Sequence, residues 1–459
     1  MALASSVLGV PASRRNSFVG RRAVGFVQVI GVLVGVMGLS KLHSSLVAPE
    51  PYDLSASARL LWATGLVGLY ALAAYVGGLP IGVRTRRGAV VAALASTLAA
   101  TIAFSLVQLG LGAALLPRYV VFGSALLVVP WLVLCHAAAL QLTSEVTDTR
   151  VVVVGDLDET LSLAADCAGD LERPMRMSTV IAVDGARATG NGYPLIDACT
   201  ADESTVLVLS RAAQADESVV AQAATLHRFG VKIRTLSRFY EDWLGKVAVS
   251  DLEQLSLLFD IREIHSSPYA RAKRLIDIGF GAVGVLLLAV VTPFVIIANV
   301  VGNRGPLLFR QERVGKNGRT FSMLKFRSMR PCATTVGEWT ATGDARITSF
   351  GGLMRRLHLD ELPQVVNVLR GDLSIVGPRP EQPHYVEELS AKLPFYEYRH
   401  LIRPGLTGWA QVKYGYAGSE RDAVEKLQYD FFYLRRQTLV LDLRIVARTF
   451  RTLVHGSGR

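Results

Sequence analysis

Hydrophobic positions fall in long uninterrupted blocks over the first third of the chain. Four apolar runs, near 23–40, 59–79, 89–116 and 119–141, are each long enough to cross about 30 Å of hydrocarbon as a helix. No charge lies deep inside them, so they offer no ion or proton path. His136 is the one titratable exception, and a lone histidine near a helix end points to a structural role. Arg14, Arg15, Arg21 and Arg22 precede the first run, and Arg84, Arg86 and Arg87 lie between the second and third. The stretch from Lys41 to Arg59 and the Pro117-Arg118 turn are less basic, so the positive-inside rule puts both termini of this bundle, and everything after about residue 145, in the cytoplasm. The basic start resembles a signal peptide, but the run behind it is long and no small-residue cleavage site closes it. Residues 1–145 read as a membrane anchor of four helices.

From Arg150 the pattern shortens. Apolar runs at Val151–Val154, Val180–Val183, Val206–Leu209 and Val231–Ile233 alternate with helical patterns such as Asp216–Phe229, the rhythm of a small parallel sheet with crossover helices. Residues 146–250 therefore predict a Rossmann-like domain. Its first strand ends in Gly155-Asp156-Leu157-Asp158, where a dinucleotide site needs G-x-G-x-x-G, and acidic side chains stand where a pyrophosphate would approach. Gly190-Asn191-Gly192 is a second partial match that does not follow a strand. A regulatory or oligomerisation role fits better than redox chemistry. Tyr269 and Lys273 have the Y-x-x-x-K spacing of dehydrogenases and epimerases but lie outside this domain, beside an apolar segment, and are set aside.

A fifth apolar segment runs over 275–301, behind Arg271, Lys273 and Arg274. A full crossing would carry the rest of the chain outside the cell, away from nucleotides. Thr292-Pro293 interrupts the segment, and a proline there bends a helix, so a re-entrant helix that returns to the cytoplasmic face is expected, with Asp277 at the interface near Arg274. A turn at 302–306 leads to a strand Leu307–Arg313, a hairpin turn Gly315–Gly318 and a partner strand Thr320–Met329. Lys325 and Arg327 are two apart, so they share one strand face and suit a pyrophosphate. Residues 331–344 read as a flexible loop.

The stretch Arg355–Pro380 carries the candidate chemistry. Asp360 and Glu361 stand just before Pro363 and an apolar-periodic run, so a helix is predicted from Asp360 or Glu361 to Arg370, stopped at Gly371. The field of that helix start favours ionised carboxylates. An ionised Asp can attack phosphorus, and its neighbour can hold a divalent cation against phosphate oxygens. Two arginines before the pair, and Pro378-Arg379-Pro380 after the helix, set it apart from an ordinary capping carboxylate. His358 is not needed as a metal ligand, since Mg²⁺ prefers oxygen. Further on, Gln382–Leu393 and Arg421–Arg436 predict helices, and Arg403–Val412 starts with a tight turn. In the last helix Leu439, Leu443, Val446, Phe450 and Leu453 form a stripe, with Arg444, Arg448 and Arg451 on another face. Core packing is the common use of such a stripe; a basic amphipathic helix lying on anionic lipid is favoured.

Composition narrows the partners. The chain has 459 residues, enough for two or three domains, of which 51% are hydrophobic and only 19% charged, yet the net charge is +11. That excess suits anionic lipid or a phosphate-bearing substrate; no basic patch with interleaved aromatics points to nucleic acid. Cys135, Cys167, Cys199 and Cys332 show neither disulfide nor metal spacing and fit a reducing compartment.

Lys273-Arg274 to Asp277, Gly305-Pro306, Phe309-Arg310-Gln311 with Arg313-Gly315, and Lys325-Phe326-Arg327-Ser328-Met329 resemble, in order, the bacterial sugar transferase family. So do Leu359-Asp360-Glu361-Leu362-Pro363-Gln364, Asn367-Val368, Gly371-Asp372-Leu373-Ser374, Val376-Gly377-Pro378-Arg379-Pro380, Arg403-Pro404-Gly405 to Gln411 and Tyr429-Asp430. The family is that of the monotopic polyprenyl-phosphate glycosyl-1-phosphate transferases, and the resemblance covers roughly 268–459. The architecture ahead of it looks like the large members that initiate exopolysaccharide or O-antigen synthesis.

The resemblance implies a fold: a membrane protein, α plus α/β, with a four-helix transmembrane bundle, a Rossmann-like cytoplasmic domain at 146–250, and a small α/β catalytic domain at 265–459 with its re-entrant helix. It also implies a reaction, in which a nucleotide diphosphate sugar, usually a UDP-sugar, donates sugar-1-phosphate to an undecaprenyl-type phosphate and UMP is released. Asp360 would be the nucleophile, Glu361 the Mg²⁺ ligand, and Lys325, Arg327 and Arg379 the phosphate or nucleotide binders. The setting would be the bacterial inner membrane with the catalytic domain in the cytoplasm, and the architecture suggests a homodimer. Two other readings compete. A membrane-anchored nucleotide-sugar epimerase would need the glycine loop that this chain lacks, and a non-enzymatic scaffold of polysaccharide assembly would predict a damaged Asp360–Glu361 stretch.

Overall fold

The computed structural model describes residues 16–48, 59–80, 86–111, 115–144, 150–169, 176–189, 192–202, 204–248, 268–302, 305–329, 347–393, 395–414 and 420–455. The expected loop at 331–344, Cys332, Arg14, Arg15, Arg84 and Gly190-Asn191 lie outside the described residues. The chain divides into two units, Met1–Leu244 and Gly245–Arg459.

The first unit opens with α1 (Asn16–Leu46), α2 (Arg59–Val76), α3 (Arg86–Leu111) and α4 (Arg118–Ser144), close to the apolar runs. All four are long and apolar enough to cross a membrane. They pack around Val36, Leu66, Tyr70, Phe104 and Leu132, while Leu109 and Leu126 on the outside stay almost fully exposed. Helices that are apolar all round, with large side chains left outside, suit lipid. Some of the polar groups inside are paired across helices: the Tyr70 hydroxyl lies 3.1 Å from both Thr101 Oγ1 and Ser124 Oγ. His136 is buried with Nδ1 2.6 Å from the Pro80 carbonyl, which fits its structural reading.

The unit continues with β1 (Arg150–Val154), α5 (Leu157–Gly169), β2 (Arg176–Ile181), α6 (Pro194–Ala201), β3 (Val206–Leu209), α7 (Glu217–Arg228) and β4 (Lys232–Thr235). The strands form a parallel sheet in the order β2-β1-β3-β4. The central strands are runs of Val and Leu because both sheet faces are covered. Asp216 starts α7 by accepting from the amides of Ser218 and Val219. Beyond β1, a Cβ on Gly155 would lie 2.9 Å from Ser210 Cβ and 3.6 Å from a Glu159 carboxylate oxygen. The Ser210 hydroxyl is occupied with the Ala213 amide. A carboxylate thus lies over the turn where a dinucleotide fold receives phosphate.

The second unit begins with a buried strap. Gly245 adopts φ +68°, and its carbonyl accepts from Trp409 Nε1 at 2.6 Å. Lys246 is only 2% exposed and pairs with Glu425 at 2.5 Å, and Val247 exchanges hydrogen bonds with Gln428.

Next comes α8 (Pro268–Gly302), the fifth helix fit to cross a membrane. It continues through Pro293 without a break in secondary structure. Thr292 Oγ1 donates to the Leu288 carbonyl at 2.6 Å, a side-chain bond of the kind that bends helices. One face of α8 is buried along most of its length against the rest of the unit. Arg274 donates to the Val368 and Leu369 carbonyls, Gly281 and Gly284 meet Leu369 and Val365, Val295 packs with Phe326 and Met354, and Asn299 donates to the Gly305 carbonyl. The opposite face, including Leu275, Leu286 and Phe294, is exposed. Asp277, one turn on from Arg274, is buried against the unit rather than facing lipid: it accepts from Ser374 Oγ and the Ile375 amide, both at 3.0 Å. Tyr269 and Lys273, set aside as a redox pair, both donate to Asp442 Oδ2 at 2.8 Å.

A hairpin follows, β5 (Leu308–Val314) antiparallel to β6 (Thr320–Phe326), then α9 (Ser349–Arg356), α10 (Gln364–Arg370), β7 (Ser374–Val376), α11 (Pro383–Lys392), β8 (Gly405–Thr407), α12 (Trp409–Lys413), α13 (Glu420–Arg435) and α14 (Leu439–His455). The core gathers Val376, Tyr396, Trp409, Phe431, Tyr433 and Ile445. In α14 the core face is Leu441, Ile445 and Ala447, whereas Leu439, Leu443 and Phe450 of the predicted stripe are exposed. Five candidate membrane helices and a small α/β region make this a membrane protein, mostly helical.

Candidate active site

Asp360 and Glu361 lie before the helix rather than in it. His358 turns left-handed at φ 53° and ends α9's run, Leu359–Glu361 form a single 3-10 turn, and α10 starts only after Pro363. Bonds of the i to i−3 type carry the chain round this corner: Glu361 to His358, Leu362 to Leu359, Val365 to Leu362 and Val366 to Pro363. Pro363 has no N–H to continue a helix through residues 359–363, so the tighter turn replaces it. The predicted start is therefore corrected by about three residues. The predicted stop holds: Gly371 sits at φ 93° and its amide reaches the Asn367 and Val368 carbonyls. Arg274 adds a cation on the last carbonyls of α10, where the helix dipole favours it.

Lys325, near the end of β6, reaches Glu361 Oε1 at 3.2 Å, with both side chains partly exposed. Burial opposes the Glu361 charge, but Lys325 and then Arg379 outweigh it and hold the carboxyl below its ordinary value. Asp360 moves the other way: burial raises it, the neighbouring Glu361 charge raises it further, and Lys325 and Arg355 only partly offset both. This is opposite to the helix-field expectation: burial and the neighbouring Glu361 charge outweigh the pull of the helix start. The pair is thus split by its surroundings, one carboxylate stabilised by cations and the other made more basic.

Arg379 is aimed by its backbone. Gly377 and Gly405 cross so closely that a Cβ on Gly405 would lie 2.1 Å from the Gly377 nitrogen, and Gly377 N donates to the Thr407 carbonyl at 2.9 Å. Only glycines permit this crossing of β7 and β8. The Arg379 carbonyl accepts from Arg399 Nη2 at 3.0 Å, and Arg399 is itself buried against Asp430 at 2.9 Å and the Tyr396 hydroxyl at 2.6 Å. From the other side Arg313 donates to the Pro380 carbonyl at 3.1 Å. Arg327 lies one residue past β6, buried, with its guanidinium against Gly305, which holds φ +139°. The structure thus brings Lys325 and Arg379 to Glu361, and places Arg327 on the turn that follows α8. Arg355, whose charge acts on Asp360, is not singled out by the sequence from the other flanking arginine; the left-handed turn at His358 between it and the dyad leaves no helical spacing that would mark it.

Among the described residues no three His, Cys, Asp or Glu side chains gather into a metal cage. Two neighbouring carboxylates in a partly exposed turn do fit a hard cation that takes oxygen ligands and completes its shell with substrate phosphates and water.

The bacterial sugar transferase model matches residues 268–456, the stretch that holds α8, the dyad and every cation just described. Over 244 residues the chain is 37% identical to the UDP-N-acetylgalactosamine-undecaprenyl-phosphate N-acetylgalactosaminephosphotransferase of Aeromonas hydrophila, covering 53% of this chain and 56% of that protein. Over 151 residues it is 47% identical to the UDP-glucose:undecaprenyl-phosphate glucose-1-phosphate transferase of Xanthomonas campestris pv. campestris, covering 32% and 31%. The chain spans about half, or less, of the length of these two relatives. An exopolysaccharide production protein of Rhizobium leguminosarum bv. phaseoli is 37% identical over 200 residues, 40% of this chain and 97% of the relative. A likeness that takes in nearly the whole of that relative makes this chain a member of the bacterial sugar transferase family.

Proposed function

We propose that the protein transfers sugar-1-phosphate from a UDP-sugar to undecaprenyl phosphate in the bacterial inner membrane, giving undecaprenyl diphosphate sugar and UMP. The observation that carries this is the split dyad: Asp360 made more basic, Glu361 held charged by Lys325 and Arg379. A more basic carboxylate is the better nucleophile once ionised. Asp360 attacks the phosphorus that bears the sugar; the new Asp360–phosphorus bond forms as the bond to the bridging oxygen breaks, and UMP leaves with that oxygen and its electron pair. An oxygen of the lipid phosphate then attacks the same phosphorus, and the Asp360 carboxylate is released unchanged. Lys325 and Arg379, with Arg327 behind them, bind the donor phosphates and stabilise charge in the transition state. Glu361, with Asp360 beside it, would hold Mg²⁺, which when bound neutralises phosphate charge.

The re-entrant reading of α8 places this chemistry at the cytoplasmic face. It is supported by contacts with one unit from Arg274 to Asn299, a span of about 37 Å in a straight helix. Residues 1–145 act as anchor, 265–459 as catalytic domain, and the Rossmann-like domain, expected over 146–250 but giving way to the second unit at Gly245, as a regulatory or homodimerising element; Glu159 over Gly155 supports its lack of a dinucleotide. The product would start an exopolysaccharide, capsule or O-antigen unit.

The test is UMP release by detergent-purified protein with Mg²⁺, undecaprenyl phosphate and a panel including UDP-glucose and UDP-N-acetylgalactosamine, beside Asp360→Asn. Release with one or two donors, lost in the variant, is expected. Release that survives the substitution removes Asp360 from its role.

A further inference from the structure

Asn367 is fully buried on α10, and its side-chain amide is used completely. Its Oδ1 accepts from the Leu324 amide at 3.1 Å, and its Nδ2 donates to the Ser322 carbonyl at 2.9 Å and to Asp372 Oδ2 at 3.1 Å. The orientation of the amide is fixed by its neighbours: one N–H faces the oxygen, two acceptors face the nitrogen. Bonding to the carbonyl of one residue and the amide two further on is how a parallel strand pairs with its neighbour. The Asn367 side chain therefore acts as a one-residue strand on the edge of β6 turned away from β5.

That edge leads directly to the site. Leu324 is followed by Lys325, whose ammonium meets Glu361 at 3.2 Å, and Glu361 lies just before the helix that carries Asn367. The amide pins the strand that supplies the cation to the helix that follows the carboxylates. The Asn367 carbonyl meanwhile accepts from the amides of Gly371, Asp372 and Leu373, so the same residue closes the far end of α10.

We propose that Asn367 is a positioning residue for the Lys325–Glu361 pair, setting through β6 the spacing of the two charges and so the hold of Glu361 on a divalent cation. It touches no substrate. This rests on the proposed role of Glu361.

The test measures Mn²⁺ binding to the full chain by electron paramagnetic resonance, together with UMP release against Mg²⁺ concentration and thermal unfolding. Glu361→Gln serves as the reference for a lost site. Asn367→Ala is expected to weaken Mn²⁺ roughly 10- to 100-fold, the usual effect of removing a group that orients a metal ligand, and to raise the Mg²⁺ needed for half-maximal rate. Asn367→Asp keeps the shape but cannot donate to Ser322 or Asp372, and is expected to be no better than alanine. Should Asn367→Ala not fold, Asp372→Ala frees the amide and is expected to shift Mn²⁺ binding several-fold in the same direction. Wild-type Mn²⁺ affinity in the folded variants, with only a lower unfolding temperature, would reduce Asn367 to a packing residue and overturn the proposal. A wild-type protein that neither releases UMP nor binds Mn²⁺ at Glu361 overturns the proposed function, and this inference with it. A wild type that does both while Asn367→Ala matches it overturns this inference alone.

Discussion

Asp277 and Ser374 are hydrogen-bonded at 3.0 Å across the join between the longest helix and the short strand β7, and the same carboxylate oxygen also takes the Ile375 amide. Replacing Asp277 by Leu leaves the buried Ser374 hydroxyl without this acceptor, at a cost of about 1–3 kcal/mol, and the half-buried Ile375 amide at a smaller one. Asp277→Asn keeps an acceptor oxygen and should lose much less. Thermal unfolding in detergent checks this, and equal stability of the Leu variant and wild type would refute it.

The acid limb of kcat/KM should lie above the ordinary carboxylate range. Asp360 reacts as the anion, and burial with the Glu361 charge raises its pKa, so activity falls as pH drops through that raised value. Glu361, held low by its cations, stays charged over the same interval. A rate profile flat down to the usual Asp range would contradict the assignment.

Lys325→Met removes the cation that contributes most to holding Glu361 charged. A loss of kcat/KM of about 10²-fold or more is expected, as for a deleted electrostatic stabiliser. Steady-state UMP release decides it, and a change under threefold would exclude Lys325 from the site.

Asp430→Asn leaves Arg399 buried beside a neutral partner. Both side chains are at most 6% exposed, and breaking a buried pair from one side costs about 3–5 kcal/mol. Because Arg399 also holds the Arg379 carbonyl, donor KM should rise with the loss of stability. Denaturation and donor titration of the one variant measure both, and an unmoved KM would detach this ion pair from the site.

Topology is open to labelling. On a background with the four native cysteines replaced, single cysteines at Ala270, in the first turn of α8, and at Lys316, beyond its end, should react with an impermeant maleimide only in inverted vesicles. Reaction of one of them in intact spheroplasts would mean that α8 crosses.

Much of the site was legible because it is local. The dyad, Gly371 and Arg379 lie within twenty residues, and turn chemistry fixes them. The start of α10 was read too early because the apolar period does not distinguish a 3-10 turn from a first helical turn; the missing Pro363 donor does. Long-range partners were out of reach. Nothing near Arg399 says that it will hold the Arg379 carbonyl, and Asp277 inside an apolar run gives no hint of Ser374, almost a hundred residues away. The α14 stripe shows another limit: periodicity finds an apolar face without saying what covers it, and here the core took Leu441 and Ile445 while Leu439, Leu443 and Phe450 stay exposed, a face left over for a surface such as lipid.

Residues 245–248 have a practical consequence for anyone who divides this chain. The match to the family model begins at 268, yet the packing of the second unit draws on residues more than twenty positions earlier. A fragment cut at the family boundary would strip Trp409 of its acceptor, leave Glu425 without its ammonium, and open a gap beside Gln428 and Tyr433's core. A piece that keeps these contacts has to include Gly245, so the edge of the family match and the edge of the packed unit are two different places in this protein.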